Sequence, residues 1–165
     1  LKFKLIFIYL TEIAEITGIT EMVEIVNINK KDILDIAYIG EQSLPIYYTA
    51  YHLLQILNNN LYIILKLTLE HDIIGFIILK QYTDNIHIMS IAILSSYRGN
   101  KYGSALLNYI KSAYPKYKFS LYVQTVNHNA LRFYMNHGFK INKTITNYYD
   151  QLNDKDAHYC EYTEI

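Results

Sequence analysis

Seven consecutive residues, Arg98-Gly99-Asn100-Lys101-Tyr102-Gly103-Ser104, combine two glycines with two cations and carry the clearest chemical signal in the sequence. The apolar run before them, residues 86–94, reads as a strand buried on both faces. Behind them Leu106, Leu107, Ile110 and Ala113 recur at helical spacing. The stretch is therefore a turn from a core strand into a helix. Amides that open a helix have no intrahelical acceptor, and the helix dipole adds positive potential there. Glycine lets that backbone approach a bulky anion, and Arg98 and Lys101 add mobile charge, so a pyrophosphate is the expected ligand. A plain strand–turn–helix joint would carry the same pattern, and Arg-Gly-x-x-x-Gly alone does not separate the two.

The remaining reactive groups are scattered. His87 shares a strand face with Met89, because side chains alternate, and Tyr122 falls on the next strand along the chain. His52, His71, His128 and His137 fall on helix or turn surfaces and are expected in solvent. His158 reads as a brace for the last strand and Cys160 as a packing residue. No metal-ligand spacing is visible.

The elements that position these groups follow from periodicity and punctuation. Residues 22–28 predict a strand, and Asn29 caps a helix to about Glu41 with Ile33, Leu34, Ala37 and Tyr38 inward. Leu44-Pro45 ends that helix, and a second carries Leu53, Leu54, Ile56 and Leu57. Strands over 61–69 and 73–80 flank a Glu70-His71-Asp72 turn. A further strand spans 119–124; the helix between it and 86–94 implies a right-handed crossover and parallel pairing. Asn127 caps a helix with Ala130, Leu131, Tyr134 and Met135 inward, Gly138 ends it, and strands 139–145 and 157–162 complete a sheet.

Composition narrows the class. The 165 residues are 52% hydrophobic and 18% charged with zero formal net charge, which fits one globular domain and disfavours long-range attraction to nucleic acid or membranes. A single cysteine makes no internal disulfide and points to a reducing compartment. Eighteen tyrosines lower the weight of any one of them. The apolar stretch Leu1 to Leu10 is too short to span a bilayer, and Glu12 and Glu15 follow it without a small-residue cleavage site. Residues 1–21 are read as an N-terminal extension and 22–165 as the domain.

Arg98-Gly99-x-x-x-Gly103, together with Asn127-x-x-Ala130-x-x-Phe133-Tyr134-x-x-x-Gly138-Phe139, resembles the GNAT superfamily of acetyl-CoA-dependent N-acetyltransferases. Leu44-Pro45-Ile46-Tyr47-Tyr48, His87-Ile88-Met89, Asn147-Tyr148-Tyr149 and Asp156-Ala157-His158 narrow the likeness to San-type catalytic subunits of N-terminal acetyltransferase E. The resemblance implies a single α/β (α+β) domain with a mixed twisted sheet of about seven strands, about four flanking helices and splayed parallel central strands. It implies acetyl-CoA as co-substrate, no metal, and acetylation of the α-amine of polypeptides beginning with Met and a hydrophobic residue. Cofactor contacts would come from Ile91, Ala92, Ile93, Arg98, Gly99, Asn100, Lys101, Tyr102, Gly103, Ser104, Asn127 and Tyr134, the last near the sulfur. Leu44, Pro45, Ile46, Tyr48, Met89, Tyr148 and Tyr149 would meet the peptide. A larger ribosome-associated acetyltransferase complex would be the partner, and the cytoplasm, with the nucleus as a second place, the location.

Two departures stand out. The family usually has glycine where Lys101 stands, and a tyrosine and a histidine where this chain has His87 and Tyr122. The two residue types have changed places. Acetyl transfer requires a neutral amine, and a peptide α-amine with pKa about 7.7–8.0 supplies it far more readily than lysine near 10.4. His87 is accordingly expected to act as base, with Tyr122 ordering a water and an acidic limb in the rate near about pH 6.5. A backbone amide near Ile91 would meet the oxyanion. Two other readings stay open: a lysine or small-amine acetyltransferase, and a non-catalytic CoA-binding relative in which the exchange marks lost activity.

Overall fold

The structure, a computed structural model, describes residues 22–163. The expected extension over 1–21 lies outside them. Seven strands, β1 (Val23–Asn27), β2 (Tyr62–Leu69), β3 (Asp72–Gln81), β4 (Asn85–Ile93), β5 (Lys118–Gln124), β6 (Lys140–Ile145) and β7 (Ala157–Tyr162), form one sheet in the order β1-β2-β3-β4-β5-β7-β6. Four α-helices accompany them among the described residues: α1 (Ile33–Ser43), α2 (Ala50–Leu57), α3 (Tyr102–Ala113) and α4 (His128–Asn136). The expected α/β architecture is the one observed, with β4 and β5 parallel and β7 inserted antiparallel between β5 and β6.

Two compact units divide the described chain: residues 22–78 with Ser90–Tyr114, and Leu79–Met89 with 115–163. β3 and β4 each run through both. In the first unit, Asn29 accepts from the Lys31 amide at 2.9 Å while Asp32 accepts from the Asn29 amide at 2.8 Å, a capping box opening into α1. Lys66 Nζ reaches the other Asp32 oxygen at 2.8 Å and ties that helix start to β2.

The buried face of α1 differs from the expected one. Ile33, Ile36, Ile39 and Gly40 are buried, whereas Leu34 and Tyr38 are 73% and 57% exposed. Apolar residues surround this helix, so periodicity offers two faces; a Cβ on Gly40 would lie 3.3 Å from the Tyr47 Cβ and 3.7 Å from the Phe76 ring, so the glycine side packs. Similarly, α2 fully buries Leu53 alone, and Met135 of α4 faces solvent while Tyr134 is buried.

Gly75 of β3 faces the end of β4 in the same unit. A Cβ there would fall 2.4 Å from Ile93 Cδ1 and 2.7 Å from the Ala92 carbonyl oxygen, so only glycine fits without moving backbone. β4 itself is not buried on both faces, as its apolar run suggests. Ile86, Ile88 and Ala92 are buried, while His87, Met89, Ile91 and Ile93 are half-buried. That more open face carries the groups that matter below.

Candidate active site

The turn between β4 and α3 has the conformation an anion cradle needs. Gly99 has φ +86°, and Lys101 has φ +61° and ψ 9°, both left-handed. A Cβ at Gly99 would meet nothing within 4 Å, so its requirement is conformational, not steric crowding. Lys101 adopts the geometry that explains the family's glycine, at a cost of about 1–2 kcal/mol for a side chain there. No acidic side chain lies in the first turn of α3, so nothing there opposes an anion. These features fit a diphosphate.

Two details of the turn change the expectation. Arg98 is not freely mobile: its Nε donates to the Ile93 carbonyl at 2.9 Å, which holds the guanidinium beside the end of β4. Tyr102 buries its ring in the core, so any contact it makes with an anion comes from its backbone. Asn100, exposed, and Gly103 and Ser104, half-buried, complete the turn. Ile91 and Ile93 are half-buried and Ala92 buried at the end of β4. Between α1 and α2 of the same unit, Pro45 and Ile46 are exposed while Leu44 and Tyr48 are half-buried.

The second unit gathers the expected acid–base pair. The parallel ladder runs from Asn85 opposite Lys118 to Ile88 opposite Leu121 and stops there. Met89 and Tyr122 are the first residues beyond it. Tyr122 continues only in the β7 ladder, opposite Tyr159. The rings of His87 and Tyr122 lie 5.2 Å apart, tilted by 54°. Tyr148 stacks on Tyr122 at 4.2 Å, and Tyr149 meets Tyr148 edge-on at 4.8 Å. Four of the predicted residues thus form one aromatic cluster.

His87 is held in an unusual state. Burial, reinforced by the Lys80 charge, lowers its pKa from 6.5 to about 4, so the ring is neutral throughout the physiological range. The acidic limb expected near pH 6.5 is therefore displaced. Its Nδ1 lies 2.9 Å from Ser120 Oγ, which also receives a hydrogen bond from Asn85 Nδ2 at 2.8 Å. Ser120, opposite His87 in the ladder and 1% exposed, was not singled out by its residue type; only strand register reveals it.

The other groups sort plainly. Burial, with Tyr149 and Cys160 nearby, pushes Tyr134 far above the ordinary phenol range, and burial with Tyr148 pushes Tyr149 to about 12. Both phenols stay protonated and can only donate or accept hydrogen bonds near neutrality. Asn127 spends its side-chain oxygen capping α4 at the Ala130 amide, 3.1 Å away. Burial raises Cys160 to about 11, which makes it inert. His158 bonds Thr144 at 2.9 Å across the β6–β7 ladder. His137 is half-buried rather than solvated, with Nδ1 donating to the Phe133 carbonyl at 2.8 Å. Among the described residues no cluster of three or more His, Cys, Asp and Glu could hold a metal.

Comparison with known proteins matches residues 26–139 to the acetyltransferase (GNAT) family. The chain belongs to that family. It is 32% identical over 83 residues to N-alpha-acetyltransferase 50 of Danio rerio, and the match spans about half of each protein, 48% and 49%. Its fold is similar to Arabidopsis thaliana Naa50 in complex with the bisubstrate analogue CoA-Ac-MVNAL, with TM-score 0.76 and 23% identity over 86% of this chain and 99% of that one. Ard1 from Thermoplasma volcanium gives TM-score 0.77 and 27% identity over 85% and 96% of the two chains.

Proposed function

We propose that this GNAT acetyltransferase acetylates the α-amine of polypeptides beginning with Met followed by a hydrophobic residue. One observation carries the choice of acceptor: the half-buried His87, beside Tyr122, has a pKa of about 4. Taking a proton from an α-ammonium group would be uphill by about 4 units, and from a lysine by more than 6, or roughly 5 against 9 kcal/mol. A base this weak suits an amine that is already partly neutral. At pH 7 roughly a tenth of α-amines are neutral, against well under a thousandth of lysines.

In this reading acetyl-CoA supplies a thioester-activated acetyl group, and the residues of the 98–104 turn hold its diphosphate. As the amine nitrogen bonds the acetyl carbon and the thioester C–S bond breaks, coenzyme A leaves as its thiolate and His87 accepts the proton that the amine releases, with Tyr122 orienting an intervening water. Tyr148 and Tyr149 contact the peptide, as do Leu44, Pro45, Ile46, Tyr48 and Met89. Asn127 and Tyr134 belong to the cofactor side, Tyr134 as a phenol that remains protonated. Docking on a larger ribosome-associated acetyltransferase complex in the cytoplasm extends the proposal. Low-identity N-alpha-acetyltransferase relatives support the acceptor class.

The test is acetyl incorporation into peptides that differ only in their first two residues. Met-Leu and Met-Ile peptides are expected to lead the series, and acidic second residues to trail it. An equal response to every sequence, or acetylation of small amines alone, contradicts the proposal.

A further inference from the structure

The loop between β6 and β7 carries Tyr148 and Tyr149, and its two limbs are tied both to each other and to β5. The last cross-strand pair beneath it joins Ile145 to Ala157. Above that pair the Asn147 amide donates to the Asp156 carboxylate at 3.0 Å, and the Tyr149 amide donates to the Lys155 carbonyl at 2.8 Å. Asn147 has φ +55°, the left-handed geometry that asparagine tolerates better than most side chains.

β5 holds the loop from its other side. Gln124 Nε2 donates to the Asp154 carbonyl at 2.5 Å, and the amide of Thr125, just past the strand, donates to the Asp156 carbonyl at 3.0 Å. Gln124 and Tyr122 share a face of β5, because side chains alternate. From that one face Gln124 takes the returning limb at Asp154, while the Tyr122 ring takes the outgoing limb, stacked on Tyr148 at 4.2 Å. Asp156 closes the arrangement by joining the two limbs through Asn147.

We propose that Asp156 and Gln124 are positioning residues, which set Tyr148 and Tyr149 in place for the peptide before it arrives. This rests on the reading that the two tyrosines meet the peptide. Tyr148 is 41% exposed, with Tyr122 stacked on its ring and Tyr149 edge-on to it. Without polar ties, a loop of this length samples many conformations, and the peptide must order it on binding. With them, that cost falls in folding and not in recognition. Loss of a tie therefore weakens peptide binding and leaves the affinity for acetyl-CoA, whose diphosphate is assigned to the 98–104 turn, as it was.

The experiment pairs amide exchange with steady-state kinetics. Asp156→Ala should speed exchange of the Asn147 amide with deuterated solvent about tenfold or more. It should raise the KM of a Met-Leu peptide about fivefold or more, with the KM of acetyl-CoA within about twofold. Asp156→Asn keeps an oxygen that accepts from the Asn147 amide, and should bring both readings back near the wild type. Gln124→Met removes the other tie at similar side-chain length and should also raise the peptide KM, which keeps the test open if Asp156→Ala does not fold. An unchanged Asn147 amide in Asp156→Ala, an unchanged peptide KM, or equal rises in both KM values overturns the proposal. So does an Asp156→Asn variant that behaves like the alanine one. The peptide reading fails separately: if Tyr148→Ala and Tyr149→Ala leave the peptide KM unchanged, the tyrosines do not meet the peptide, whatever the exchange shows of the loop.

Discussion

The rings of His87 and Tyr122 lie 5.2 Å apart, on adjacent parallel strands at the point where their shared ladder ends. The two residue types, exchanged from the order that the resemblance to N-terminal acetyltransferases implies, still meet. A pair of this kind can serve one water from either side.

The depressed basicity of His87 sets the pH profile. With pKa about 4 the ring is neutral at every pH from 5 to 8, so it contributes no limb there. The rise in kcat/KM should instead follow the substrate α-amine, levelling near about pH 8. His87→Ala is expected to lower kcat about tenfold or more at all these pH values without changing the shape of the curve. A limb near pH 6.5 that vanishes in the variant would show that burial does not hold the ring neutral. The same shift acts on stability. The unfolded chain protonates His87 below 6.5 and the folded one only near 4, so stability falls as pH drops between those values, by at most about 3 kcal/mol.

Lys101 pays for its left-handed backbone. Lys101→Gly should stabilise the protein by up to about 1 kcal/mol, since glycine adopts φ +61° without steric cost but gains entropy when unfolded. Denaturant midpoints measure this directly. The same substitution removes a cation from the turn, so the KM for acetyl-CoA should rise several-fold and become less sensitive to salt. A destabilised variant would mean that the lysine side chain supports the turn.

Gly75 is predicted to tolerate no side chain. Gly75→Ala places a methyl 2.4 Å from Ile93 Cδ1 and 2.7 Å from the Ala92 carbonyl, and should cost about 1–3 kcal/mol. Because the second clash is with backbone, adding Ile93→Ala should leave most of the loss in place. Full recovery in the double variant would assign the whole cost to the Ile93 side chain.

Much of this was legible in the sequence. The 98–104 turn announced itself because Gly99 answers a conformational demand and its neighbours show clear strand and helix periods. The cap at Asn127 and the left-handed Gly138 were equally readable from residue type. The packed face of α1 was not, because Leu34 and Tyr38 are as apolar as the residues actually buried. Ser120 was invisible for a different reason. Its role comes from lying opposite His87, and cross-strand register is a tertiary property that no local pattern of a serine encodes.

The most direct test uses one peptide with two competing amines, a free Met-Leu N-terminus and an internal lysine. It is incubated with the protein and acetyl-CoA at pH 7, and the modified nitrogen is located by fragmentation mass spectrometry. Acetyl on the Met α-amine with the lysine untouched is the predicted result. Acetyl on the lysine, with the α-amine left free, would contradict the assignment of the acceptor.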